Sequence, residues 1–83
     1  MQVVEIHEPV KVRADFLGGR ITPLFLKRNE RVHPLVRVNA RWVDRSGRQS
    51  RHYFSVTDKA GDVYQIVLRG EDMVWMLENV TVP

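Results

Sequence analysis

Eighty-three residues, 43% of them hydrophobic, with a net charge of +3 and no cysteine, describe one small β-domain spanning 1–83. The composition excludes a disulfide-stapled scaffold, a thiolate nucleophile and a cysteine-built zinc site, and no apolar run reaches the roughly 18 residues of a membrane-spanning helix. A chain this short buries only about 60–65% of the surface its unfolded form exposes, so a contribution from a partner subunit is expected to help it.

Residues 1–8 read as an N-terminal arm or short strand, and nothing in Met1-Gln2-Val3-Val4-Glu5 resembles an export signal, which points to the cytoplasm. Val10, Val12, Ala14 and Phe16 then alternate with Lys11, Arg13 and Asp15, the period of a half-buried strand. Gly18-Gly19 fits a two-residue type I′ turn, in which both central residues need positive φ. That turn sets Leu17 against Arg20, Phe16 against Ile21 and Val12 against Phe25. Pro23 lacks an amide proton, so the second strand is expected at an edge or with a bulge. Lys27-Arg28-Asn29-Glu30-Arg31 reads as the next turn, and His33-Pro34 leads into a long strand ending near Val43.

Along that strand Val36, Val38, Ala40 and Trp42 occupy one parity and Arg37, Asn39 and Arg41 the other. A three-residue loop Ser46-Gly47-Arg48 predicts Trp42 opposite His52, Ala40 opposite Phe54 and Val38 opposite Val56. A second loop, Lys59-Ala60-Gly61, predicts Val56 beside Tyr64, Phe54 beside Ile66 and His52 beside Leu68. Gly70-Glu71 fits a type II′ turn placing Leu68 against Met73, Ile66 against Trp75 and Tyr64 against Leu77. Trp42, Phe54, Ile66 and Trp75 are therefore expected in one core. The reading is all-β: a six-stranded antiparallel meander curled into a small SH3-like barrel or roll.

Nine basic residues fall within 20–51 against Glu30 and Asp44, and arginines outnumber lysines ten to three. Arginine suits bidentate contact with carboxylate or phosphate. The registers put Arg37, Arg41, Arg51, Tyr53 and Arg69 on the outward face. Cations of this kind follow phosphates while a ring stacks on a base, as in single-stranded nucleic-acid binders; the same face also fits an acidic protein. Val67, Val74 and Met76 form a second apolar face, expected to be covered by the N-terminal strand or by a homodimer contact. His7, His33 and His52 come without a cluster of metal ligands, and no catalytic or phosphate-loop motif is present. The expectation is a module with no catalytic residue, no metal and no cofactor, bound to no membrane. Its function is either an accessory role on nucleic acid or protein interaction and self-association.

The stretch Arg41-Trp42, the segment His52-Tyr53-Phe54-Ser55-Val56-Thr57-Asp58, then Gly61-Asp62-Val63-Tyr64 and the closing Trp75-Met76-Leu77-Glu78 resemble a group of small bacterial β-domains with no assigned activity. The resemblance implies an all-β fold and a bacterial origin, and it carries no functional residue.

Overall fold

The computed structural model describes residues 1–83, and every regular element in it is a β-strand. In chain order they are β1 (Gln2–Pro9), β2 (Lys11–Leu17), β3 (Arg20–Arg28), β4 (Arg31–Asp44), β5 (Arg51–Asp58), β6 (Val63–Arg69) and β7 (Trp75–Val82). They make one antiparallel sheet of seven strands in the order β1-β7-β6-β5-β4-β3-β2. The expected meander is present, with a seventh strand because residues 2–9, expected as an arm or short strand, pair with β7. No helix of the chain is long and apolar enough to cross a membrane.

The outermost strands, β1 and β2, are joined by the single residue Val10, so the sheet has to roll until its two edges approach each other. The Val10 amide donates to the Trp75 carbonyl at 3.0 Å, and Arg28 of β3 donates to Glu8 of β1 at 2.7 Å across the seam. The edges do not pair, and the result is an open roll, not a closed barrel. Its inner face holds the core: Leu26, Phe54, Val56, Tyr64, Ile66, Leu77 and Val80 are buried together. Ile6, Val10, Val12, Ile21, Leu35, Val38, Trp75 and Val82 pack against them, so every strand contributes.

Two hairpins follow their turn chemistry closely. Gly18 and Gly19 have φ of 58° and 76°, and Leu17 pairs with Arg20 as a type I′ turn requires. The β5–β6 hairpin has the expected register, Val56 to Tyr64, Phe54 to Ile66 and His52 to Leu68. Asp58 fixes its turn: the buried carboxylate accepts from the amides of Ala60 and Asp62 at 3.0 and 2.9 Å and from the Tyr64 hydroxyl at 2.7 Å. Burial, and then Asp58 itself, push the Tyr64 phenol well above its ordinary range.

Three registers differ from the sequence reading. In β3 a bulge at Leu24, next to Pro23, sets Val12 against Leu26 rather than Phe25. Pro23 lies where β3 has no partner on its β4 side, so its missing amide proton costs no ladder bond. The β6–β7 turn is longer than Gly70-Glu71, and Leu68 faces Trp75 while Ile66 faces Leu77. Near the turn the slip is two residues, which preserves parity and keeps Trp75 and Leu77 inside; beyond it a bulge leaves Glu78 as an extra residue, pairs Tyr64 with Val80 and turns Val80 into the core. Gly70 serves a close approach: its amide bonds the Ser50 carbonyl at 2.8 Å, and a Cβ there would lie 2.5 Å from that oxygen.

The third difference moves functional residues. A bulge between Val38 and Ala40 inserts Asn39 as an extra residue in β4, so Trp42 faces Tyr53 and Arg41 faces Phe54. An odd slip sends each later side chain to the opposite face. Ser46-Gly47-Arg48 therefore lies within a longer connection between Asp44 and Arg51, and Trp42 is 42% exposed outside the core.

Candidate functional site

The expected arginine face divides into two parts. Arg51 and Arg69 stand side by side on β5 and β6, but the β6–β7 turn brings carboxylates to them. Arg51 donates to Glu71 at 2.7 Å, and Arg69 is paired with Asp72 and lies 4.0 Å from Glu71. The Asp72 carboxyl is held below its ordinary value chiefly by Arg69. Glu71 is lowered by its own backbone amide and then by Arg51. These two cations are neutralised within the chain, and the larger cleft beside them mixes Arg48 with Asp44 and Glu71.

Arg37 and Tyr53 do lie on one outward face, with Arg37 opposite Thr57 and Tyr53 opposite Trp42. Asn39 is anchored between them, donating to Thr57 at 2.8 Å and to Ser55 at 3.4 Å. That anchoring is the local reason for the bulge: the amide bonds two hydroxyls of β5 and holds the extra residue in place. Its consequence is a stacked aromatic pair, since the Trp42 and Tyr53 rings lie 5.4 Å apart with only 4° between their planes. The sequence reading placed Trp42 in the core, so it missed this platform. The signal was Asn39 itself, a polar residue poorly suited to a strand interior.

Arg41 is a correction of a different kind. It points to the inner side, opposite Phe54, at the end of the roll where the β2–β3 hairpin tip approaches β4 and β5. There Arg20, Arg41, Trp42, Arg45, His52 and Tyr53 line a cleft of about 230 Å³ that contains no acidic residue. One guanidinium nitrogen of Arg41, Nη1, is buried with no hydrogen-bond partner. Arg20, Arg37, Arg41 and Arg45 take part in no ion pair, in contrast to Arg28, Arg51 and Arg69.

The second apolar face largely satisfies itself. Val67 is 2% exposed, flanked on neighbouring strands by Tyr53 and Met76. Val74 and Met76 are half-buried, with Pro9 of β1 beside Met76. The N-terminal strand is the edge neighbour of β7 and lies beside this face, and Val67 is enclosed within the single chain. No His, Cys, Asp and Glu side chains gather in a way that could hold a metal ion. Searches against known protein families, curated proteins and solved structures find no match for this chain.

Proposed function

We propose that this chain is a non-catalytic module that binds single-stranded nucleic acid on the outward face of β4 and β5. The observation that carries the reading is an exposed Trp42 stacked on a half-buried Tyr53, beside arginines that no carboxylate of the chain neutralises. A base laid on Trp42 extends a stack already begun by Tyr53, and each such stack contributes about 1–3 kcal/mol. Arg37, on the same face, supplies a cation for a phosphate, while Arg51 and Arg69 contribute less because Glu71 and Asp72 hold them. Stacking on a ring face reads no particular base, so binding is expected to be tolerant of sequence.

The test is oligonucleotide binding measured over a range of salt concentrations. Each phosphate contact on a single strand contributes about 0.7 to the slope of log affinity against log salt. Arg37→Ala should lower the slope by roughly that amount without changing stability, because the side chain is exposed. Binding with no dependence on salt would refute the reading.

A second reading, docking to another protein, has one observation in its favour. Phe16 and Leu17 are 61% and 82% exposed at the tip of the β2–β3 hairpin. That tip borders the same arginine cleft, so an acidic partner would be the matching chemistry.

A further inference from the structure

We infer that the cleft beneath Trp42 is a phosphomonoester site, and that the module prefers a strand carrying a phosphate at one end; the strand part of this inference rests on the function proposed above. A buried guanidinium nitrogen without a partner forfeits its hydration and gains nothing in exchange, and such orphans are uncommon in folded proteins. The chain pairs the half-buried Arg28 and Arg69 with carboxylates, yet it leaves the equally half-buried Arg41 with an orphaned nitrogen. An anion from outside is the missing acceptor.

The surroundings fit that acceptor. Arg20 from the hairpin tip and Arg45 from the β4–β5 connection line the same cleft as Arg41, together with the ring of His52, and no carboxylate competes. Arg20, Arg41, Arg45 and His52 give this one cleft a lining rich in N–H donors, the chemistry that several oxygens of an anion require. An internal phosphodiester carries a single charge, whereas a phosphomonoester carries about −1.5 to −2 near neutral pH and offers three strong acceptor oxygens. The convergence of cations therefore favours the terminal group over the bridging one. Trp42 and Tyr53 border the cleft as well as forming the platform. Arg41 and Trp42 leave β4 on opposite faces and share the rim of this cleft, so a strand end that seats its phosphate on Arg41 turns over that rim to lay its base on the indole.

Binding of one oligonucleotide in three forms, with both ends hydroxyl, 5′-phosphorylated or 3′-phosphorylated, tests the inference. Phosphorylation at one end, and not at the other, should tighten binding about tenfold. Arg41→Met and, separately, Arg20→Gln should abolish that gain, while Arg37→Ala should preserve it. Because Arg41→Met removes the orphan nitrogen and keeps the aliphatic stem, its thermal midpoint should equal or exceed that of the parent. Equal affinity for all three forms, or a gain that survives Arg41→Met and Arg20→Gln, overturns the terminal-phosphate site and leaves strand binding standing. Binding of a nucleoside monophosphate or inorganic phosphate, lost in Arg41→Met, with no affinity for any strand, overturns the strand reading and retains the phosphomonoester site. A lowered thermal midpoint in Arg41→Met without any change in phosphate binding assigns Arg41 a structural role and ends the inference.

Discussion

Phe54 and Trp42 stand one register step apart across β4 and β5, and the bulge at Asn39 gives them opposite fates. Phe54 is 3% exposed and packs on Trp75 with ring centroids 5.7 Å apart. Truncating it should cost about 3–5 kcal/mol, a large share of the stability of a domain this small. Trp42→Ala removes mainly the stack on Tyr53 and should cost only about 0.5–1.5 kcal/mol. Denaturant unfolding of the two variants checks the order, and equal losses would return Trp42 to the core. At the β3–β4 turn, Asn29 and Glu30 both adopt positive φ, 52° and 64°. Asparagine tolerates that region and glutamate does not, so Glu30→Gly should stabilise the protein by about 0.5–1 kcal/mol, visible as a raised thermal midpoint.

At the scale of strands, β1 is held to β7 by a charged clamp as well as by its ladder. His7, at a bulge with φ of 55°, presents Nδ1 to Glu78 at 2.8 Å and Nε2 to Glu5 at 2.9 Å. Both nitrogens face acceptors, so both must donate, and the ring is favoured as imidazolium. Glu78 first and Glu5 second raise its pKa above the ordinary 6.5. A pKa raised on folding stabilises fully below the unfolded value and ceases to do so as the pH climbs through the folded one. The thermal midpoint should therefore decline as the pH rises from the ordinary 6.5 through the raised folded-state pKa, and His7→Gln should flatten that decline. The ring is exposed, so salt should weaken the effect. What the sequence revealed of these elements depended on parity. The β5–β6 register was legible because alternation and an aspartate-flanked loop agree and no bulge intervenes. The β6–β7 slip of two left Trp75 and Leu77 facing inward. The single extra residue at Asn39 exchanged the faces of Arg41 and Trp42, and only its bonds to Ser55 and Thr57, made across strands, decide where it sits.

For the molecule as a whole, rolling the sheet places Arg20, Arg41 and Arg45 with the aromatic pair at one end, away from the seam where Arg28 and Glu8 meet. Arg51 and Arg69 are instead spent internally, in their pairs with the β6–β7 turn. Net charge alone could not reveal this division, because which cations are free depends on the loops that cover the others. A base-stacking role for Trp42 and Tyr53 is tested by titration of a fluorescent single-stranded oligonucleotide at low salt with the parent protein and Trp42→Ala. Measurable binding that weakens by about 1–3 kcal/mol in the variant, with the fold intact, is the outcome expected. No affinity at low salt, or affinity indifferent to the loss of Trp42, would contradict it.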